Sequence, residues 1–219
     1  MIRNIIFDFD GVIVDSEVLA SRAFSVYFNN LGHSLKEEEF YCYAGMKTIE
    51  VIERLSEKYQ INDKKKFSDS VFEIVSNIYL KDLQLVEGLE SYIKESKLNH
   101  FIASNSTKNR IIDGLMIVGL SNIFTSNKIY SFDMVEKPKP NPDIYLKVIR
   151  DNDLHTNETV VIEDSGVGVK AANLAGLTVF GLTAGKHWHS NRNQNELYDQ
   201  GALNVFNNYK DLQKALEDL

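Results

Sequence analysis

The sequence predicts an α/β protein in which a parallel sheet is interrupted by an inserted bundle of helices. Three observations lead there. Residues 5–12, Ile-Ile-Phe-Asp-Phe-Asp-Gly-Val, form an apolar run of the kind buried on both faces inside a parallel sheet. The next such run, residues 100–104, comes about ninety residues later, whereas a parallel crossover with its helix needs only a few tens. From there to the C-terminus strand and helix patterns alternate, the signature of right-handed βαβ units that bind ligands at the carboxyl ends of their strands.

The first strand carries two acids that its burial does not explain. A period of two puts Asp8 and Asp10 on one side, where they repel unless a cation or proton lies between them, and Gly11 permits a sharp turn beyond. A calcium loop is excluded, since its glycine stands at the sixth position and Gly11 is at the fourth. Read alone, the pair is either a turn former or a carboxylate nucleophile, Asp8, with an acid/base partner, Asp10.

The insert reads as helical. Val18, Leu19, Ala23, Val26, Tyr27 and Leu31 mark one stripe, closed by Gly32. Ile49, Ile52, Leu55 and Tyr59 mark a second, and Phe67, Val71, Ile74, Val75, Ile78 and Leu83 a third. With a short helix over 36–43 they make a small helical bundle. The expected division is therefore residues 1–14 and 84–219 as the core and 15–83 as a cap over the end of the first strand.

Helices are then expected over 89–96 and 108–118, on either side of the strand ending at Ser104. After that strand Ser104, Asn105, Ser106 and Thr107 offer hydroxyl and amide groups at a helix start, suited either to capping or to seating a phosphate. All three prolines lie in Lys137-Pro138-Lys139-Pro140-Asn141-Pro142-Asp143, a stiff extended segment that holds a lysine at little entropic cost. Asn141 is the expected N-cap of a helix over 143–151. Strand 159–162 ends in Glu163-Asp164, and helix 167–175, strand 178–181 and helix 209–219 follow. If the first strand and this one are neighbours, Asp8, Asp10, Glu163 and Asp164 form an oxygen-only site suited to Mg²⁺. His187-Trp188-His189 lacks further ligands at zinc-like spacing and is expected to be an edge loop.

Composition narrows the function. A formal charge of −7 argues against nonspecific nucleic-acid binding, so a substrate anion must be met by a local basic group. The single cysteine, Cys42, cannot form an intrachain disulfide, and no apolar run approaches the roughly eighteen residues of a membrane span. Acids at 8, 10 and 15 interrupt what would be the apolar part of a signal peptide. A cytoplasmic monomer with no membrane partner is expected.

Four segments, in order, resemble the motifs of the haloacid dehalogenase superfamily: Asp8-Phe9-Asp10-Gly11-Val12, Ser104, Lys139 in the register set by Pro142-Asp143, and Glu163-Asp164-Ser165 with Gly168, Ala171 and Ala172. The chain is similar to the subgroup containing β-phosphoglucomutase and small sugar-phosphate phosphatases. The resemblance implies a Rossmann-like core and phosphoryl transfer to Asp8, with water then hydrolysing the aspartyl-phosphate. Asp10 would act as acid and base and lend Mg²⁺ its backbone carbonyl. Asp8 and Asp164 would be side-chain ligands, and Glu163 a direct or water-mediated one. Ser104, Asn105 and Lys139 would hold the phosphoryl group.

The cap position that carries a histidine in β-phosphoglucomutase is Ala20 here, which disfavours a phosphosugar mutase. Segments around Ser16-Glu17-Val18, Ser21-Arg22 and Gly45 to Lys47 resemble 6-phosphogluconate phosphatases, and Arg22 and Lys47 read either as partners for a substrate carboxylate or as solvated surface cations. The expected activity is a Mg²⁺-dependent phosphatase for a small phosphorylated sugar or sugar acid. The alternatives are the mutase and, in another class, a catalytically silent phospho-ligand or protein-binding module.

Overall fold

The computed structural model describes residues 1–43, 46, 48–189 and 192–219. The chain divides into two compact units, residues 1–15 with 84–219, and residues 16–83.

The first unit is built on six parallel strands: β1 (Asn4–Phe7), β2 (Asn99–Ser104), β3 (Ile129–Ser131), β4 (Thr159–Glu163), β5 (Thr178–Leu182) and β6 (Asn204–Phe206). Their order is β3-β2-β1-β4-β5-β6. The order makes β1 and β4 the two central strands, and every residue in each is buried. Phe7 pairs with Ile102 on one side and Ile162 on the other, so Asp8, the first residue beyond β1, comes level with Ala103 of β2 and Glu163 of β4. That register brings the acids after β1 and at the end of β4 to one place.

Among the described residues, this unit holds the helices α4 (Leu89–Glu95), α5 (Lys108–Ile117), α6 (Asp143–Asp151), α7 (Gly166–Leu174), α8 (Asn195–Tyr198) and α9 (Tyr209–Glu217). The alternation along the strands decides what each face meets. Ile6, Phe101, Val161 and Val179 share one core with Ile144, Tyr145 and Val148 of α6 and Val169, Ala171 and Ala172 of α7. Phe7 points the other way, into edge contacts with Tyr92, His100 and Phe124.

The second unit holds α1 (Glu17–Asn30), a 3₁₀ segment (Glu37–Tyr43), α2 (Thr48–Lys58) and α3 (Lys64–Asp82). Its interior is Phe24, Phe28, Phe40, Val51, Ile52, Leu55, Phe67 and Val71. The inward face of α1 differs from the expected stripe: Val26 and Leu31 are exposed, while Phe24 and Phe28 are buried. Two phenylalanines four residues apart bury more apolar area than the smaller aliphatic set, and they set the rotation of the helix.

Other details also differ from expectation. Residues 5–12 are not one strand, because β1 stops at Phe7 and the chain turns through Gly11 at φ +79°. Pro142 rather than Asn141 caps α6, and Asn141 turns its amide back to the Pro138 carbonyl at 3.0 Å. Strands β3 and β6 and helix α8 were not predicted. Each is only three or four residues long, too short to display a period.

Candidate active site

The site stands at the carboxyl end of β1 and β4. The Asp8 amide still donates to the Ile162 carbonyl at 2.9 Å, so the residue continues the ladder one step past the strand. Beyond it the chain coils into a tight turn, with the Ile13 and Val14 amides both donating to the Phe9 carbonyl. The strand period is lost there, and the Asp10 carboxylate accepts from the Ser106 hydroxyl at 2.5 Å and from Arg110 at 2.8 Å, while its negative charge still acts on Asp8 and Asp164.

The acids that do converge are Asp8, Glu163 and Asp164, each offering an oxygen within 4.8 Å of the others. All three are buried, Glu163 completely. Burial raises the Asp8 carboxyl well above its ordinary range; Lys139 opposes this, and the negative charges of Glu163 and Asp164 reinforce it. Asp164 is raised in the same way, by burial and then by Glu163. Three hard oxygen donors whose mutual repulsion calls for positive charge suit a small divalent cation such as Mg²⁺.

Part of that charge comes from the protein. Lys139 Nζ lies 2.7 Å from Asp8 Oδ1, 2.6 Å from Glu163 Oε1 and 2.7 Å from the Ala103 carbonyl. Burial alone would lower the affinity of this amine for its proton. The two carboxylates outweigh burial and hold the ammonium well above its usual value. Its neighbour Lys137 is exposed. The Asn105 side chain both donates to and accepts from the Lys139 backbone, at 3.1 Å each way, and so pins the proline-rich segment to the end of β2.

Glu163 is held on both oxygens. Oε1 accepts from Tyr145 as well as Lys139, and Oε2 accepts from the Ser165 hydroxyl. Ser165 also caps α7 through the Gly168 amide. A side chain at Gly168 would overlap Glu163, so glycine is required for the carboxylate to lie over the start of the helix. Ser104 is buried and accepts from the Ser106 amide at 3.0 Å.

Two partners carried no sequence signal of their own. Tyr145 and Arg110 are ordinary helix residues until the tertiary fold brings them in. His187 lies in the loop expected after β5, but its ring is buried, with Nε2 2.8 Å from Asp164 Oδ2, while Lys186 is exposed and Trp188 and His189 are half-buried. In the second unit Arg22 is paired with Asp82. Lys47, the other cation expected to meet substrate, lies outside the described residues.

A parallel sheet with a helical insertion after its first strand, carrying this acid and lysine cluster at its carboxyl end, defines a class. The chain belongs to the haloacid dehalogenase-like hydrolases, whose family profile matches residues 5–182. Among its relatives, the 6-phosphogluconate phosphatase of Escherichia coli (strain K12) is 26% identical over 188 residues, which is 85% of each chain. The phosphorylated carbohydrates phosphatase of Thermotoga maritima is 27% identical over 205 residues, 91% of each. The crystal structure of a haloacid dehalogenase-like protein of unknown function from Agrobacterium tumefaciens superposes with a TM-score of 0.88 at 28% identity, covering 100% of this chain and 99% of that one.

Proposed function

We propose that the chain is a Mg²⁺-dependent phosphatase that hydrolyses a small phosphorylated sugar or sugar acid through a phosphorylated Asp8. The observation that carries this reading is the buried lysine between two carboxylates, Lys139 against Asp8 and Glu163, beside a third acid, Asp164. A permanent ammonium at that point stabilises the charge of a transferring phosphoryl group without reorganisation. The phosphatase relatives support the substrate class.

Asp8 attacks phosphorus, forming an aspartyl-phosphate as the ester P–O bond breaks and the leaving alkoxide takes a proton from Asp10. In the second half Asp10 takes a proton from a water that attacks phosphorus, and the Asp8–phosphorus bond breaks to release inorganic phosphate. Lys139 holds Asp8 Oδ1 and so orients the nucleophile, while Ser104 and Asn105 border the phosphoryl position at the end of β2. Asp8, Asp164, Glu163 and the backbone carbonyl of Asp10 would hold Mg²⁺, which supplies positive charge to the phosphoryl oxygens and offsets the crowded acids.

For the rest of the substrate, Arg22 and Lys47 are assigned to a sugar-acid carboxylate, with Arg22 giving up Asp82 on binding. The test is phosphate release from a panel of sugar phosphates, sugar-acid phosphates and phosphoglycolate with and without Mg²⁺. Turnover that needs Mg²⁺ and favours acid-bearing sugars is expected. Conversion of a hexose 1-phosphate to its 6-phosphate without release would make the chain a mutase, and binding without turnover on any substrate would make it a silent binder.

A further inference from the structure

Lys139 has no N–H to spare. Its ammonium offers three donors, and all three are taken: by Asp8 Oδ1 at 2.7 Å, by Glu163 Oε1 at 2.6 Å and by the Ala103 carbonyl at 2.7 Å. A phosphoryl oxygen can be met only if one of these acceptors is given up. The two carboxylates differ in what they would then lose. Among the described residues no other donor reaches Asp8 Oδ1, so releasing it would strand a buried charge and leave the nucleophile unaimed. Glu163 Oε1 has a second donor, the Tyr145 hydroxyl at 2.8 Å, and Ser165 holds the other oxygen.

We infer that Tyr145 is a positioning residue for phosphoryl transfer: its hydroxyl keeps Glu163 satisfied while Lys139 turns one N–H from Glu163 to the transferring phosphoryl oxygens. The inference rests on the phosphatase reading given above. No covalent bond changes in this step; one hydrogen bond changes its acceptor. Tyr145 is wholly buried on α6, in the core shared with α7, so its hydroxyl stays in place when the lysine turns. Lys139 Nζ also lies 4.9 Å from the centroid of the Tyr145 ring, an aromatic face that attracts the moving charge. Without the hydroxyl, the same turn would leave a buried carboxylate oxygen with no donor. That penalty falls where charge develops on the phosphoryl group, and therefore on kcat rather than on substrate binding.

The experiment is steady-state hydrolysis of p-nitrophenyl phosphate and of the best sugar phosphate from the panel above, by wild type, Tyr145→Phe, Glu163→Gln and the double variant. Tyr145→Phe keeps the ring and removes only the hydroxyl. It is expected to lower kcat by about 10-fold and to change KM by less than about two-fold. In the Glu163→Gln background no carboxylate charge needs the hydroxyl, and the same substitution should lower kcat little further. Orthovanadate, a five-coordinate mimic of the transferring phosphoryl group, should bind Tyr145→Phe about 10-fold more weakly while inorganic phosphate binds as before. That measurement needs no turnover, and it keeps the test decisive if Glu163→Gln is inactive. An unchanged kcat and vanadate affinity, whatever the melting temperature, would reduce Tyr145 to packing and overturn the inference. An equal loss in both backgrounds, or a loss confined to KM, would also overturn it and leave the phosphatase reading standing. A wild-type chain that hydrolyses none of these esters would overturn the phosphatase reading and this inference together.

Discussion

The ends of the central strands and the interior of the helical unit are equally dry, and they are stabilised in opposite ways. In the helical unit Phe28 is wholly buried among rings, 4.1 Å from Tyr59 and 5.7–5.8 Å from Phe67 and Phe40. Contacts of that kind are additive and forgiving, since area and volume count for more than the identity of each neighbour. At the ends of the strands, Asp8, Glu163 and Asp164 share one lysine within hydrogen-bond reach of two of them. Buried charge tolerates no such exchange, because an unpaired member costs more than the pair contributes. The one region is built to hold a shape, and the other gathers like charges that Lys139 offsets only in part.

The contrast is broken most sharply at Asp8. Asp8→Asn should reduce phosphate release by about 10³-fold or more, since it removes the nucleophile. The same change deletes one buried repelling charge, so the melting temperature of the metal-free protein should hold or rise, as a thermal scan would reveal. A variant that retained turnover would move the nucleophile elsewhere.

Lys139→Met tests the opposite sign. It strands Asp8 and Glu163 and should destabilise the sheet unit by about 3–5 kcal/mol near neutrality, as read by denaturant unfolding. At acid pH, where the raised Asp8 carboxyl takes up its proton, the deficit should shrink. An equal deficit at both pH values would mean that packing, and not charge, holds this lysine.

Phe28→Ala in the helical unit should cost about 3–5 kcal/mol at any pH, through lost transfer energy and a cavity. Its independence of pH and of Mg²⁺ separates it from the lysine variant, and the two can be compared in the same denaturant series.

A smaller effect sharpens the comparison within the wild-type protein. Because Asp8 and Asp164 hold their protons more tightly folded than unfolded, their cost to stability is absent below the ordinary value of 3.8, grows as pH rises from there to their raised folded values, and stays at its full size above them. The rise in melting temperature on adding Mg²⁺ should therefore be larger at pH 7.5 than at pH 5. An equal or reversed increment would disconnect the acids from the ion.

The least effect is expected at Arg22. Its pair with Asp82 is about two-fifths exposed on both sides and contributes little to stability. Arg22→Ala should leave the melting temperature nearly unchanged. It should raise KM several-fold for sugar-acid phosphates relative to neutral sugar phosphates, in the manner of a lost carboxylate contact. Equal KM changes for both substrate kinds would remove Arg22 from recognition.

Much of this architecture is written locally in the chain. Apolar runs that end in acids, a gap of about ninety residues after the first, and the helical stripes within that gap sufficed for β1, β2, β4 and β5 of a parallel sheet, its insertion and the order of the four motifs. Strand β1 must be central because it is apolar on both faces, and Lys139 stands in a segment stiffened by proline. These are short-range facts, governed by periodicity and backbone restriction.

What local pattern leaves open is where a side chain goes once the period ends. Asp10 shares the strand alternation with Asp8 in the sequence, yet the turn after Phe7 sends it to Ser106 and Arg110, about a hundred residues away. The face of α1 turned inward because two phenylalanines outweighed a longer row of smaller residues. His187 met Asp164 only because Gly11 and Gly185, far apart in the chain, both lack a side chain at the same point in space. Burial, charge pairing and close approach depend on the register of neighbouring strands and on the volume left between them, and these exist only after the chain has folded.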